Sequence, residues 1–524
     1  MTNKFPLRKF PLRFQYSRNI LIAIALLLVF NLLTLGRIPE IPHGDDGGYA
    51  SAAYQFWRTG HPGVPGYRNI LGLDKDIFVF GRTAAALQGI FMWIFGVSLT
   101  AALLPSFLSG VGLIVVTYGL GRTLWDKHHG LLAAVILTAS GIFFLASRIA
   151  RPDLLLALCF ISALYLLASA LPGRWSWRYP LAGLVMGLSG DLHLNGFFLA
   201  PIPLLFWFSL REERFHLRSM SAASYLVGVF LGGIFWLSLH YWPNPEAFTQ
   251  QIEIFGGKTH GIRVVNLGLW GAIKGEIQRY LSWFWVAKLH RNIFEGLFIF
   301  VCGLWMLILG GRKERALFFA WFFIFGMSVL LMANPFGWYL IYVWPLFVLW
   351  IARVFLWAYH TRVRRWAVIF LCVLLIGSLG NLVLWTGKAF YGPSYAEISR
   401  ELRSTIPPGA AVVAGGEWWF ALSDRDFTDA QHVQFQALLA KERKEAPSSN
   451  WEHAWGRLRW QYAVAYGDSR DMLDREVPLN EAFASMGVSR AEEIREARAF
   501  GMKHCHVVAR ISTASTPVLI MKIN

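Results

Sequence analysis

Two carboxylates stand side by side in Pro42-His43-Gly44-Asp45-Asp46-Gly47-Gly48-Tyr49. Such a pair can cap the first turn of a helix, whose amide protons lack partners, or it can supply a general base or a cation ligand. A second polar group, Ser147-Arg148-Ile149-Ala150-Arg151-Pro152-Asp153, is wedged between two apolar runs. Arginines and an aspartate are costly to keep at membrane depth, so such a cluster points to function. The planar donors of arginine suit a phosphate, although a structural ion pair closing a helix hairpin uses the same residue types. Gly190-Asp191-Leu192-His193-Leu194-Asn195-Gly196 interrupts a third apolar stretch, and broken membrane helices are tolerated where they line a cavity. Weaker candidates are Lys75, Asp76 and Arg82, then Lys258, His260 and Arg263, and Tyr339 after Asn334-Pro335-Phe336-Gly337-Trp338, because loop charges are ordinarily solvated.

The elements that must position these groups are read from composition. Of 524 residues, 55% are hydrophobic and 15% charged, against about a quarter charged in soluble proteins, and the mean hydropathy is +0.44. The chain is therefore a membrane protein, and a soluble enzyme, a disordered tail and a disulfide scaffold are excluded. The four cysteines have no spacing that suggests zinc or a disulfide framework. The net charge of +17 does not indicate nucleic acid, because the basic residues fall in short segments between apolar runs rather than on one face of a soluble domain.

Those basic segments set a topology. The run 19–36 reads as a retained first span with its N-terminus cytoplasmic. Further spans are expected near 99–121, 130–147, 152–170, 178–192, 194–210, 219–240, 293–310, 316–332, 339–358 and 366–386, about eleven in all. Cytoplasmic connections then hold Arg122 and Lys127; Arg174 and Arg178; Arg211, Arg214 and Arg218; Arg312, Lys313 and Arg315; and Arg362, Arg364 and Arg365. External loops cover 37–98 and 241–292. The stretch 83–96 is short for a crossing, and making it one would turn the Arg122–His128 segment outward, so it is expected as an interfacial or re-entrant helix. Residues 270–290 have the spacing of an interfacial amphipathic helix. Residues 1–386 form the membrane domain. Residues 387–524 form a small extracytoplasmic α/β domain, with strands expected at 410–414, 462–466 and 506–511 and helices at 394–404 and 490–500.

The order of these features resembles the GT-C superfamily of polytopic glycosyltransferases. The resemblance rests on an apolar first span, the Asp45-Asp46 loop start running on to Gly60, the stretch Arg82–Gly96, a span ending Tyr118-Gly119-Leu120-Gly121-Arg122, and Ser147–Asp153. It is greatest to bacterial proteins related to protein O-mannosyltransferases and lipid A aminoarabinose transferases, and oligosaccharyltransferase catalytic subunits share the plan. It covers residues 19–210 well and the later spans in pattern only. Asp45-Asp46 stands where many relatives have Asp-Glu, and Asp76-Ile77-Phe78 lacks their Lys-Pro-Pro.

The resemblance implies a mainly α, polytopic membrane glycosyltransferase, in bacteria of the inner membrane, that moves a sugar from a polyprenyl-phosphate carrier to a glycan, lipid or protein acceptor on the external face. Asp45 or Asp46 would be the base. Arg148, Arg151, Asp153 and His193 would serve the donor phosphate and sugar, with Lys75, Arg82 and Tyr339 beside them. No cofactor is required, and the carboxylate pair admits Mg²⁺ or Mn²⁺. A non-enzymatic transporter or flippase of a lipid-linked sugar is the rival reading, but the matching inverted halves that it calls for are not detectable.

Overall fold

The computed structural model describes residues 14–37, 44–78, 81–170, 175–210, 215–252, 263–286, 293–331, 337–433, 450–466, 499–501, 503–512 and 518–524. Arg174, Arg211, Arg214, Lys258, His260, the segment 334–336 and most of the expected helix 490–500 lie outside them.

The apolar runs form helices because a backbone out of water must satisfy its polar groups within its own segment. The first is α1 (Phe14–Leu33), and the acidic pair opens α2 (Gly44–Thr59). The stretch considered for an extra crossing is α3 (Arg82–Phe95), with only 14 residues. Then follow α4 (Leu99–Leu124), α5 (Lys127–Ala139), α6 (Gly141–Ala146) and α7 (Asp153–Ser169). The expected span 130–147 is thus two helices, broken where Ser140 ends α5 and caps α6 by accepting the Phe143 amide proton. The interruption near His193 separates α8 (Arg178–Leu192) from α9 (Asn195–Leu199) and α10 (Pro201–Leu210). Next come α11 (Phe215–His240), α12 (Pro245–Ile252), α13 (Arg263–Leu281), α14 (Ile293–Ile308), α15 (Arg312–Leu331), α16 (Trp344–Tyr359) and α17 (Arg364–Tyr391).

Among the described residues four helical stretches are long and apolar enough to cross a membrane: Leu99–Leu124, Ser219–His240, Arg312–Leu331 and Arg364–Gly387. Shorter apolar helices accompany them, among them Asp153–Ser169 and Trp344–Tyr359. Without a hydrophobic force between helices in lipid, small residues allow the backbone contact that holds them. At the α8–α11 crossing a Cβ on Gly183 would stand 1.9 Å from the Tyr225 carbonyl oxygen, and one on Gly228 2.1 Å from that of Pro180. At the end expected to face the cytoplasm, Glu314 accepts the Trp125 indole proton at 2.9 Å and an Arg353 proton at 2.6 Å, which ties α4, α15 and α16 together.

Beyond α17 the chain forms α18 (Tyr395–Thr405), started by a capping box between Ser394 and Glu397, and a five-stranded sheet. The strands are β1 (Ala411–Ala414), β2 (Asp426–Asp429), β3 (Tyr462–Tyr466), β4 (Cys505–Ile511) and β5 (Val518–Ile523), in the order β2-β1-β3-β5-β4. The first three pair in parallel, and β5 runs antiparallel to both β3 and β4. The expected strands are β1, β3 and β4; β2 and β5 were not anticipated.

Candidate active site

Arg151 is the centre of the polar cluster. Its Nε donates to Asp153 Oδ2 at 2.8 Å, one Nη2 proton reaches the Tyr339 hydroxyl at 3.3 Å, and Nη1 donates to Asp45 Oδ2. Asp153, the first residue of α7, takes a further hydrogen bond of 2.5 Å from the Tyr342 hydroxyl. Tyr339 and Tyr342 lie on one 3-10 turn, residues 337–342, with their rings stacked at 5.6 Å. His193, in the break between α8 and α9, sets its ring edge-on to Tyr339 at 5.7 Å. Asp45, Arg151, Asp153, His193 and Tyr339 therefore meet.

The neighbouring carboxylates differ. Asp46 is 0% exposed, and its Oδ1 accepts the Ala150 amide proton at 2.7 Å, pinning α2 to the 147–152 turn. The Asp45 side chain remains 33% exposed beside Arg151. Only Asp45 has both a charge partner and an open side.

The other candidates go elsewhere. Arg148 was expected beside Arg151, but its guanidinium donates to the Asn31 carbonyl oxygen at 3.0 Å, to the Asn31 side chain, to Thr34 Oγ1 and to the Phe144 carbonyl oxygen at 3.3 Å. It closes the end of α1, where the last carbonyls lack intrahelical partners, and it stacks 3.5 Å over the Phe144 ring. Arg82 forms an ion pair with Asp76 at 2.9 Å, to which His61 adds a contact at 3.0 Å. Lys75 is exposed in the same turn. Arg148 thus supports α1 and Arg82 the loop, and none of the three basic residues has a hydrogen bond to Asp45, Arg151 or Asp153 among the described residues.

Three further features bear on the site, and among their residues Asp191 lies in a stretch that the sequence marks, the break at 190–196. Asp191 accepts the amide protons of Arg82 at 3.1 Å and Thr83 at 2.8 Å, capping α3 from another helix, and His240 Nε2 at 2.6 Å. His240 Nδ1 meets the Phe78 carbonyl oxygen at 2.6 Å, so one buried pair ties α3, α8 and α11 to the loop. Arg279 on α13, buried and paired with Glu276, is electrostatically coupled to Tyr339. The C-terminal domain also reaches the site, at Asp429. Burial, aided by the charges of Glu417 and Asp45 and opposed by the Gln431 amide proton at 2.9 Å, pushes its carboxyl up to about 7.

That domain is seated on the loop. A Cβ on Gly47 would stand 1.6 Å from the Gly416 carbonyl oxygen, so only glycine admits this contact. The Tyr67 hydroxyl donates to Gln431 Oε1 at 2.9 Å, and His432 Nε2 meets the Arg68 carbonyl oxygen at 2.9 Å.

Residues 83–242 match the family profile described as dolichyl-phosphate-mannose-protein mannosyltransferase. Over nearly the whole chain the fold matches that of ArnT from Cupriavidus metallidurans, solved bound to undecaprenyl phosphate: TM-score 0.61, 14% identity, covering 96% of this chain and 98% of that one. The fold is that of the GT-C membrane glycosyltransferases. A second GT-C structure, the Archaeoglobus fulgidus oligosaccharyltransferase tethered to an acceptor peptide with the NVT sequon, matches with TM-score 0.57 and 15% identity over 96% of this chain and 74% of that one. The same archaeal protein with an inhibitory peptide and a dolichol-phosphate matches at TM-score 0.54 and 14% identity, covering 93% and 73% of the two chains. Among curated proteins no sequence matches. Within the GT-C frame the conjunction of Asp45 with Arg151 joins the α2 start to the turn before α7.

Proposed function

We propose that the chain is an inverting glycosyltransferase that moves a sugar from a polyprenyl-phosphate carrier to a hydroxyl-bearing acceptor on the external face of the membrane. The observation that carries this reading is the half-open carboxylate of Asp45 held by the buried guanidinium of Arg151. A base and a phosphate-binding cation are thereby adjacent. ArnT has been solved with undecaprenyl phosphate and the archaeal oligosaccharyltransferase with a dolichol-phosphate, which supports a lipid phosphate as the carrier.

In the proposed step a phosphate oxygen of the carrier takes the Arg151 edge that Asp45 holds, which releases the carboxylate toward the acceptor. Asp45 accepts the hydroxyl proton as that oxygen forms a bond to the anomeric carbon. The bond from carbon to phosphate oxygen breaks with its electron pair on the phosphate. Arg151 stabilises the developing charge, oriented by Asp153, Tyr339 and Tyr342. His193 lies edge-on to Tyr339 beside the same anion.

Asp46 is buried with its Oδ1 on the Ala150 amide, so Asp45 is the more open of the two carboxylates for a divalent cation such as Mg²⁺ or Mn²⁺. The archaeal relative has been solved in complex with Zn and sulfate (TM-score 0.55, 18% identity, 90% of this chain and 71% of that one). Among the described residues no group of three or more His, Cys, Asp or Glu is placed to hold a metal.

The test is to add purified full-length protein to a radiolabelled polyprenyl-phosphate sugar and follow transfer of label to envelope lipid, glycan or peptide acceptors. Label that leaves the carrier with wild type but not with Asp45→Asn supports the reading. Label that crosses a vesicle membrane still attached to its carrier would favour a flippase.

A further inference from the structure

A cavity of about 340 Å³ lies away from Arg151, where the membrane helices meet the C-terminal domain. Gly36 beyond α1, Ser98 and Thr100 at the start of α4, and Ser399, Arg400 and Arg403 of α18 contribute to its wall. No carboxylate lines it. Arg403 is fixed by donating from Nε to the Ala421 carbonyl oxygen at 2.9 Å and from Nη2 to that of Phe420 at 2.8 Å. Arg400 has no hydrogen bond or ion pair among the described residues and is exposed. Arg37 and Arg400 both act electrostatically on Glu397, whose carboxylate is occupied by the Ser394 amide at 2.6 Å and hydroxyl at 2.8 Å. Three arginines and one engaged glutamate leave a positive excess.

The position relative to the membrane identifies the class of anion. The spanning stretch of α4 begins at Leu99 and that of α17 ends at Gly387, so the cavity lies at the membrane boundary. Large apolar side chains stand exposed around it: Trp93 and Phe95 of α3, before the turn that lines the cavity, and Phe390 and Tyr391 at the end of α17. The Arg37 guanidinium stacks 4.6 Å over the Phe390 ring. A basic recess opening beside exposed hydrocarbon-facing aromatics is complementary to an amphiphile with a charged head.

We infer that this cavity binds the phosphate headgroup of an anionic membrane lipid, with the acyl chains lying along the exposed faces of α3 and α17. Arg400 supplies the free charge, the fixed Arg403 sets the orientation, and the lipid fastens the C-terminal domain to the membrane in addition to its contacts with the loop at Gly47, Tyr67 and Arg68.

Binding of phosphatidylglycerol, diacylglycerol and inorganic phosphate to the delipidated full-length protein, measured by native mass spectrometry and thermal unfolding, tests this. Phosphatidylglycerol is expected to bind saturably and raise the unfolding temperature, with the other two at least tenfold weaker. Arg400→Gln is expected to lose roughly tenfold in phosphatidylglycerol affinity and Arg400→Lys to keep most of it. Both should unfold like wild type without lipid, since Arg400 holds no other group. Arg151→Lys, altered at the transfer site, should bind phosphatidylglycerol as wild type does. Equal affinity in wild type and Arg400→Gln overturns the assignment, as does inorganic phosphate or diacylglycerol binding as well as the phospholipid. Loss of binding in Arg151→Lys instead would place the lipid at the transfer site.

Discussion

Arg148 and Arg151 lie three residues apart and share no hydrogen-bond partner among the described residues: Arg148 serves Asn31 and Thr34 at the end of α1, whereas Arg151 serves Asp45, Asp153 and Tyr339. The cluster around Arg151 thus holds two carboxylates against one guanidinium, not the positive surplus that a count of the motif suggests. The two arginines should separate experimentally. Arg148→Ala leaves buried acceptors on α1 without donors and should cost about 1–3 kcal/mol of stability, with donor affinity of the folded protein unchanged. Arg151→Lys keeps charge but loses the planar fork and should lower turnover by roughly 10² to 10³ with little change in unfolding temperature. Donor affinity and thermal unfolding on the same variants check both; a donor-binding defect in folded Arg148→Ala would return that residue to the site.

The acidic pair should also divide. Asp45→Asn removes the proposed base and should slow transfer by roughly 10² to 10⁴ in a protein that folds normally. Asp46→Ala strands the buried Ala150 amide and should destabilise by about 1–3 kcal/mol. Turnover near wild type in Asp45→Asn would end the base assignment.

The Asp191–His240 pair is a support that joins α3, α8 and α11. Asp191→Ala should cost about 2–5 kcal/mol, from the lost cap of α3 together with a buried partner left alone. A double-mutant cycle with His240→Ala should show a coupling of at least about 0.5 kcal/mol. Additive effects would mean that the contact contributes nothing.

Asp429 gives a pH dependence. Its carboxyl is raised in the folded protein to about 7, while an unfolded aspartate titrates near about 4. Below about 4 both states hold the proton and the stabilisation is fully present. As pH rises toward 7 the unfolded state ionises first, so stability falls, and it levels off above 7. Asp429→Asn keeps an acceptor for the Gln431 amide and should flatten this decline, unfolding at a higher temperature than wild type at pH 8. Parallel unfolding profiles of the two proteins from pH 5 to 8 would show that Asp429 is not the group responsible.

Much of this arrangement can be read from residue order. Apolar runs bounded by basic segments mark the helices, and the cost of ionisable groups in such runs singles out Arg148, Arg151, Asp153 and His193 alike. The meeting of the last three with Asp45 and Tyr339 follows from the resemblance and from the expected sidedness of the loops. What stays hidden is pairing that depends on packing. Arg148 and Arg151 are chemically alike, and only the turn before Pro152 sends one to α1 and the other to Asp45. Asp191 and His240 sit on α8 and α11, two helices whose crossing is set by glycine contacts. β2 is four residues of ordinary composition, and Asp429 within it becomes unusual only by burial against the loop that carries Asp45.

The Gly47–Gly416 contact has a consequence for how the molecule is built. Gly47 leaves the ribosome before any helix from α3 onward, but the backbone it packs against is at Gly416 in the last domain. During most of synthesis the start of α2 lacks this partner, and the contact forms only when the last domain has folded onto it. A chain cut short by a premature stop after α17 retains Asp45 and Arg151 yet lacks the domain that packs against the turn carrying Asp45. The architecture thereby ties competence to completion of the polypeptide.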